Sequence, residues 1–368
     1  MERTRRFTIL LASAIPVLAT MNHAAQGARL RKIWDFDTKA ITGGDSQGNP
    51  LTVFALGFSS DGRQIAAIVG PSHREEWVLI LDAGDPASHH AKLTVNPEIL
   101  QRESGVSRRI AWSTSGPVIL LSNMIVDVSS GATCSFPGGA FGWGFTGANQ
   151  IVAYQTKPAR LLFFDLSCQS TGAWELPEGD IVDAHDSSAD RGLLLLTRHR
   201  ISNFTISNVA LLILDAGSRK VLKSIAGFTE FTASAAFVVK PLFAEQGRAF
   251  CGVRGDQWHA DIVCSATDTG VVLNANGGWS NPDIRTAVAS PRVVISDYSR
   301  KLDWIDLRWY TGSLRRRVVW NYRSGKELVR WKPKRQPDGQ PDRFDISPDG
   351  EYIVEGGAGF VALYRIEP

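Results

Sequence analysis

The sequence predicts an all-β fold, a single β-propeller of seven four-stranded blades, from two similar stretches near its opposite ends. The first is VFALGFSSDGRQIAAIVG (Val53–Gly70), followed by EWVLILDAG (Glu76–Gly84), and the second is RFDISPDGEYIVEGGAGFVALYRIEP (Arg343–Pro368). Each contains an apolar strand, a turn of Ser, Asp and Gly, a second apolar strand, another turn and a third strand. Repetition of such a unit along the chain indicates a propeller, in which similar blades surround a central channel.

The same order of elements recurs less regularly between these two stretches, in five further repeats that begin near Arg108, Ala140, Asp180, Phe231 and Ile284. The seventh repeat has three strands and ends at Pro368, whereas the strand-like run Leu30–Phe36 has no neighbouring partner in sequence. Pairing of Leu30–Phe36 with the last repeat would complete a seventh blade and close the ring. A miscounted weak repeat would instead give six or eight blades.

The first 25 residues have the features of a secretory signal peptide. Arg3, Arg5 and Arg6 form a basic segment, the apolar run Phe7–Ala19 follows, and small residues come next, up to Ala25. The apolar run is short for a membrane span, although an uncleaved anchor is the alternative interpretation. We therefore expect residues 1–25 to be a signal peptide, residues 26–368 to form the propeller domain, and the protein to be secreted or periplasmic.

The charge of the chain gives little reason to expect binding to nucleic acid. Removal of residues 1–25 would take away three arginines and one glutamate and lower the formal net charge from +3 to +1. The charge is nevertheless uneven, because Arg300–Arg335 contains twelve basic residues and three acidic ones.

The repeat pattern resembles the WD40-like, YVTN-type β-propeller repeat families. The matching residues are FSSDGRQIA with LILDAG in the first repeat, and FDISPDGEYIV with VALYRIE in the last. The resemblance implies a propeller over about residues 30–368.

The four cysteines are candidates for disulfide bonds in an exported protein. Cys251 and Cys264 flank a predicted hairpin and would face each other across it. Cys134 and Cys168 remain as the second pair. Four cysteines allow three connectivities, of which this one is favoured.

The connections of the predicted blades fall into two groups. Those between the first and second strands and between the third and fourth are short and stereotyped, whereas the others are long and irregular. In antiparallel blades the two groups lie at opposite ends, so the variable loops share one face, where function is expected. We call it the loop-rich face; its predicted loops are Gly70–Glu75, Asn96–Val106, Arg198–Ser207, Arg254–Trp258, Tyr298–Leu314 and Pro333–Pro341.

The longest loop, within Tyr298–Arg317, is rich in aromatic and basic residues, a combination typical of interaction hot spots. From it we select Trp304, Arg308, Trp309 and Tyr310 as candidate binding residues, and we add Trp258 and His259 from a second loop on the same face. The alternative is structural: Trp304 and Trp309 would fold the loop over the sixth blade, with its arginines solvated.

Other histidines and tryptophans have structural interpretations. His73 and His259 could project from the same face, but no third ligand is evident, so we predict neither a metal nor a cofactor. His89 and His90 open an outer strand and are expected at the surface. Four further tryptophans are expected between blades, namely Trp112, Trp143, Trp174 and Trp320.

Catalytic signatures such as GxSxG, HExxH, GxGxxG and the P-loop do not occur in the sequence. The favoured interpretation is an exported, non-enzymatic binding scaffold, a monomer with a protein or polysaccharide partner. The alternative is a propeller enzyme (a hydrolase, a lactonase or a quinoprotein-like oxidoreductase) with its site at the central channel. A third possibility is an anion-binding surface formed by Arg300–Arg335.

Overall fold

The structure is a computed structural model that describes fifteen segments of the chain. They are residues 28–42, 51–71, 77–87, 90–94, 110–121, 124–137, 140–156, 159–175, 181–202, 205–226, 241–255, 260–279, 282–300, 312–333 and 343–368. The predicted signal peptide therefore lies outside the described residues.

The described chain forms seven four-stranded antiparallel sheets, which we number as blades I to VII. In each blade the first strand is innermost and the fourth is at the rim. Blade I contains β2 (Thr52–Phe58), β3 (Gln64–Gly70), β4 (Trp77–Asp82) and β5 (His90–Thr94), and blade II contains β6 (Ile110–Trp112), β7 (Val118–Leu121), β8 (Met124–Asp127) and β9 (Thr133–Ser135). Blade III contains β10 (Phe141–Gly147), β11 (Gln150–Thr156), β12 (Ala159–Phe164) and β13 (Ser170–Glu175), and blade IV contains β14 (Ile181–Ser188), β15 (Leu193–Ser202), β16 (Thr205–Asp215) and β17 (Lys220–Ala226).

The remaining blades follow the same order. Blade V contains β18 (Leu242–Ala244), β19 (Ala249–Gly255), β20 (Ala260–Ala266) and β21 (Val272–Trp279), and blade VI contains β22 (Pro282–Thr286), β23 (Arg292–Arg300), β24 (Gly312–Asn321) and β25 (Lys326–Trp331). Blade VII contains β26 (Arg343–Ile346), β27 (Tyr352–Gly357), β28 (Phe360–Glu367) and, as its fourth strand, β1 (Arg29–Asp37) from the other end of the chain. A short helix, α1 (Thr38–Thr42), follows β1, and a 3₁₀ turn spans Glu245–Gly247. In the segments that the structure describes, no helix is long and apolar enough to cross a membrane.

The ring is closed, because each innermost strand contacts the innermost strands of both neighbouring blades. Seven hydrophobic clusters occupy the seven boundaries between consecutive blades. In β3, for example, Ile65 and Ala67 pack toward blade VII, whereas Ala66 and Ile68 pack toward blade II. Both faces of such a strand are buried, which explains why the strands read as continuous apolar runs rather than as alternating ones.

The prediction that the N-terminal strand closes the ring is confirmed. β1 pairs antiparallel with β28, from Arg29 opposite Glu367 to Asp37 opposite Phe360. The register shifts at Ile33, which is 37% exposed. Trp34 then donates its indole N–H to the carbonyl oxygen of Ala83 in blade I at 2.8 Å, so the closing strand is bound to two blades.

The Ser-Asp-Gly turns seen in the sequence form the same network at both ends of the chain. Ser59 Oγ donates to Asp61 Oδ1 at 2.6 Å and accepts from the backbone N–H five residues later, while Gly62 takes a positive φ of 73°. Ser347 and Asp349 repeat these contacts. Partial burial raises the pKa of Asp61, but the Ser59 hydroxyl, the backbone N–H of Arg63 and the positive charge of Arg63 together lower it by more, so the net shift is downward.

The predicted disulfide connectivity is confirmed: Cys134 pairs with Cys168, and Cys251 pairs with Cys264. Cys134 lies on β9 of blade II, and Cys168 lies in the turn after β12 of blade III, so this bond joins two blades. Cys251 and Cys264 stand directly opposite each other on β19 and β20 and are fully buried. The second bond therefore lies within one blade.

Candidate functional site

The short turns of neighbouring blades contact one another at one end of the ring. Several of these contacts are hydrogen bonds between the turns that follow the innermost strands. The donors and acceptors are Ser60 Oγ to the Ser113 carbonyl, Ser115 Oγ to the Ala148 carbonyl, Arg191 Nη1 to the Gly247 carbonyl, the Gln246 N–H to the Val288 carbonyl, and the Ala289 N–H to the Pro348 carbonyl. This end of the propeller is therefore tied together, and the connections between second and third strands emerge at the other end, as the sequence predicts.

On this loop-rich face, the hairpin of blade VI projects beyond its own blade. β23 and β24 pair from Arg292 opposite Asn321 to Arg300 opposite Gly312. The flanking strands stop earlier, because β22 pairs only as far as Asp297 and β25 only as far as Arg317. The outer part of the hairpin is thus a two-stranded ribbon. The expectation of an irregular loop from Tyr298 to Leu314 is wrong at both ends, where backbone pairing continues.

The hairpin of blade IV projects in the same way. β15 and β16 pair out to Ser202 opposite Thr205, whereas β14 stops at His199 and β17 at Ala210. The expected loop Arg198–Ser207 is therefore mostly strand. The sequence pattern did not indicate these strands, because several of their side chains are polar. The hydrogen bonds of a β-ladder are made by the backbone, so a projecting ribbon tolerates polar side chains.

Blade V lies between the two projecting hairpins, since its innermost strand contacts those of blades IV and VI. Its own hairpin is regular up to Gly255 opposite Ala260. Residues 256–259, which contain the candidates Trp258 and His259, connect these two strands. The two ribbons thus stand on either side of the blade that carries the second predicted binding segment.

The predicted binding side chains themselves lie outside the described residues. These are Trp304, Arg308, Trp309 and Tyr310, between the two strands of the blade VI hairpin, and Trp258 and His259 in blade V. His73, His89 and the side chain of His90 are likewise outside. Of the tryptophans expected between blades, Trp320 is fully buried, while Trp112, Trp143 and Trp174 are partly buried and pack against the clusters.

At the base of the blade VI ribbon, Arg316 connects three elements. Its Nε donates to Asp297 Oδ2 at 3.2 Å, and its Nη2 donates to the carbonyl oxygen of Gly278 at 3.2 Å. The guanidinium lies over the ring of Trp279, with Cζ 4.4 Å from the ring centroid. Asp297 is itself buried on the ribbon. Because Arg316 also contacts Gly278 and Trp279 of β21, it holds the ribbon against the outer strand of blade V.

The neighbouring Arg317 is fully buried, which corrects the expectation that the arginines of this segment are solvated. It pairs with Glu355 of blade VII and donates from Nε to Ser296 Oγ at 2.8 Å. Sequence analysis missed this pair because the partners are 38 residues apart. The one available signal was Glu355 itself, a charged residue within the apolar run of β27.

Other arginines of the basic segment are also paired. Arg323 contacts Glu245 of blade V through Nη2 at 2.6 Å, and Arg330 contacts Glu327 through Nη2 at 2.6 Å. Burial raises the pKa of Tyr322, and the Glu245 carboxylate raises it further. Four described arginines of the segment therefore have carboxylate partners, and three of these partners lie outside the segment.

Among the residues that the structure describes, no group of three or more His, Cys, Asp or Glu side chains is arranged to hold a metal ion. The described features of the loop-rich face are instead two projecting ribbons, of which the blade VI ribbon is held at its base by Arg316 and Arg317.

No protein-family model matches the sequence, and no curated protein matches it. In fold, the chain is similar to 760 chains of solved structure, so the architecture is too common to identify a function. One is the β-propeller domain of Cps50 (Swd1) from Myceliophteria thermophila, with a TM-score of 0.56 and 12% identity over 92% of this chain and 100% of that one. Another is a chain of the Mitotic Checkpoint Complex, with a TM-score of 0.55 and 14% identity over 100% of both chains. At such low identity, the similarity shows the fold only.

Proposed function

We propose that this protein is an exported, non-enzymatic scaffold that binds a protein partner through the loop-rich face of its propeller. The observation that carries the proposal is the pair of two-stranded ribbons on blades IV and VI, which project on the same face and flank the hairpin of blade V. Each ribbon extends beyond the flanking strands of its own blade. Loops held by a rigid scaffold are the usual location of binding residues.

The contacts at the ribbon base support a rigid rather than a loosely tethered presentation. Arg316 binds Asp297 on the same ribbon and Gly278 on blade V, and its guanidinium covers Trp279. A preorganised hairpin loses less conformational entropy when it binds, which favours affinity. The residues carried by this hairpin, Trp304 and Trp309 among them, are of the types that dominate binding energy at interfaces.

The similarity to a propeller chain from the Mitotic Checkpoint Complex supports a protein as the partner, because that chain belongs to a multiprotein assembly. A polysaccharide is the second possible partner, since tryptophan and tyrosine rings also stack on sugars. The WD40-like character of the first and last repeats is consistent with a scaffold role.

Export is part of the proposal. The basic and apolar segments within residues 1–25 support a signal peptide, and two disulfide bonds are typical of proteins in oxidising compartments. We expect the mature N-terminus to lie between Ala19 and Ala25. N-terminal sequencing of the protein recovered from outside the cytoplasm measures this directly.

The binding proposal is tested by capture from the envelope fraction of the producing cell on the immobilised propeller. Wild-type protein is compared with Trp304→Ala/Trp309→Ala on the blade VI hairpin. The matched control is Ile33→Ala/Val288→Ala, which removes two exposed apolar side chains away from the loop-rich face. We expect the hairpin variant to lose the captured partner and the control to keep it.

Digestion of the captured material with a protease distinguishes the two partner classes, since only a polysaccharide survives it. Equal capture by the hairpin variant and the wild type would show that this face is not the binding surface. Loss of capture by both variants would show that capture is not specific to the loop-rich face, and the proposal would then also be wrong.

A further inference from the structure

The two disulfide bonds differ in their access to solvent. Cys251 and Cys264 are both 0% exposed and lie inside the seven-residue pairing of β19 with β20. Cys134 and Cys168 are only partly buried, and the residues on either side of each of them are exposed. Exchange of a disulfide bond with a thiol requires access to one of its sulfur atoms. A thiol can therefore reach the bond between blades II and III in the folded protein, whereas the bond within blade V is shielded.

Cys168 also has a backbone conformation that favours glycine. Its φ is 59°, in the left-handed region. It directly precedes Gln169, whose carbonyl oxygen closes the turn by accepting from the N–H of Asp165. The residue at this position is Gly131 in blade II, Gly270 in blade V and Gly325 in blade VI, and it is Arg219 in blade IV. A side chain makes this conformation costly, so it persists where the surroundings impose it, and the bond to Cys134 is one such restraint.

The strand at the other end of this bond is the shortest outer strand of the ring. β9 has three residues, Thr133–Ser135, and it pairs with Met124–Val126 of β8 at the edge of its sheet. Phe136, the next residue, is buried in the hydrophobic cluster between blades II and III. Loss of the bond would therefore free a short strand, while the chain that follows it stays anchored.

We propose that Cys134–Cys168 is a site of thiol–disulfide exchange with a dithiol, and that its reduction releases β9 from blade III. One thiolate of the dithiol attacks one cysteine sulfur, forms a mixed disulfide with it and expels the other cysteine as a thiolate. The second thiolate of the dithiol then attacks its own sulfur in the mixed disulfide and expels the first cysteine. The dithiol leaves as a disulfide, and its two electrons and two protons remain on the cysteines as two thiols. Exchange with an oxidised thiol closes the bond again.

This redox site goes beyond the scaffold role. Cys168 lies in the turn between the third and fourth strands of blade III, at the end of the ring opposite the loop-rich face. The bond requires a compartment that oxidises cysteine, but it does not depend on what the loop-rich face binds. Exposed disulfide bonds are the labile and regulatory ones, whereas shielded bonds such as Cys251–Cys264 are structural.

The test is a time course of reduction by dithiothreitol, on the oxidised full-length protein without denaturant. Free thiols are blocked with iodoacetamide at each time, and the remaining bonds are then reduced in denaturant and labelled with N-ethylmaleimide. Mass spectrometry of the peptides gives the reduced fraction of every cysteine. We expect Cys134 and Cys168 to be reduced at least tenfold faster than Cys251 and Cys264.

Hydrogen exchange measures the structural consequence at the time when the bond between blades II and III alone is reduced. We expect amide exchange to rise at least tenfold in Thr133–Ser135 and in Asp165–Gln169, to stay unchanged in β19 and β20, and to return to its starting value after treatment with oxidised glutathione. Cys134→Ala/Cys168→Ala should show the faster exchange without dithiothreitol and should not respond to it. Cys251→Ala/Cys264→Ala is the matched control and should respond like the wild type.

Reduction of the two bonds at equal rates would overturn the proposal. Selective reduction with unchanged exchange in Thr133–Ser135 would overturn it too, because the bond would then hold nothing in place. Trp304→Ala/Trp309→Ala should be reduced like the wild type, so failure of the loop-rich face as a binding surface is distinguishable from failure of this site.

Discussion

Arg317 of β24 and Glu355 of β27 form an ion pair across the boundary between blades VI and VII, with both side chains almost fully removed from solvent. Arg317 Nη1 is 2.5 Å from Glu355 Oε1, and the two side chains are 0% and 4% exposed. Trp331 Nε1 donates to the same carboxylate oxygen at 3.0 Å. The guanidinium also lies over Phe344, with Cζ 4.4 Å from the ring centroid. The pair thus joins the base of the blade VI ribbon to the last blade.

Breaking this pair from one side should destabilise the fold strongly. Arg317→Met leaves an uncompensated buried carboxylate, and we expect it to lower the free energy of unfolding by roughly 3–5 kcal/mol. Arg317→Met/Glu355→Leu removes both charges and should recover most of that loss. Urea denaturation of the two single variants and the double variant measures the coupling. Additive losses would show that the two residues do not act as a pair.

The closing strand β1 should be required for a stable ring. A chain that begins at Lys39 lacks β1 and leaves the outer edge of β28 unpaired, so we expect it to aggregate or unfold, whereas a chain that begins at Ala28 should be folded. Size-exclusion chromatography with circular dichroism tests both. Two point substitutions test whether the register of β1 matters as well as its presence. Phe36→Asp places a charge in the core, while Ile33→Asp lies at the exposed register shift. A stable, monomeric chain from Lys39 would contradict strand closure.

The two disulfide bonds should stabilise the fold by different amounts. Their sequence separations are 34 residues for Cys134–Cys168 and 13 residues for Cys251–Cys264. In the chain-entropy model these separations correspond to about 4 and about 3 kcal/mol, respectively. We expect Cys134→Ala/Cys168→Ala to show the larger loss in denaturant, and mass spectrometry without reduction to find both bonds. Detection of a Cys134–Cys251 peptide would refute the connectivity.

Acid should weaken the capped turns. Asp127 accepts hydrogen bonds from the hydroxyl and N–H of Ser129 and the N–H of Ser130, and these contacts lower its pKa below the ordinary 3.8. A carboxylate whose pKa is lower in the folded state stabilises the fold above its unfolded pKa, and this contribution is lost as the pH falls from about 4 through the folded value.

Asn321 occupies the corresponding position in blade VI and accepts from the Ser324 N–H without any charge. Asp127→Asn should therefore retain the turn at pH 7 but show a shallower fall of the melting temperature between pH 4 and 2, whereas Asp127→Ala should melt lower at pH 7. Identical acid profiles for the wild type and Asp127→Asn would exclude this source of pH dependence.

Sequence reasoning was accurate where a local pattern is tied to a local structure. The turn residues of the first and last repeats, such as Ser59 and Asp349, form the expected networks, since their side chains contact a backbone only a few residues away. It was wrong about Tyr298–Leu314 and Arg198–Ser207, which continue as paired ribbons. Cross-strand backbone hydrogen bonds leave little trace in side-chain polarity, so such pairing is not visible as a pattern.

By itself, the sequence determined the all-β repeat architecture, and it favoured seven blades, closure by the N-terminal strand and the observed cysteine pairing, because buried apolar runs, turn residues and an unmatched strand are recorded in the order of residues. Only the tertiary structure decided that Arg317 is buried against Glu355 and that two hairpins project on one face. These features depend on which residues meet across blade boundaries, and residues dozens of positions apart come together only when the ring has closed.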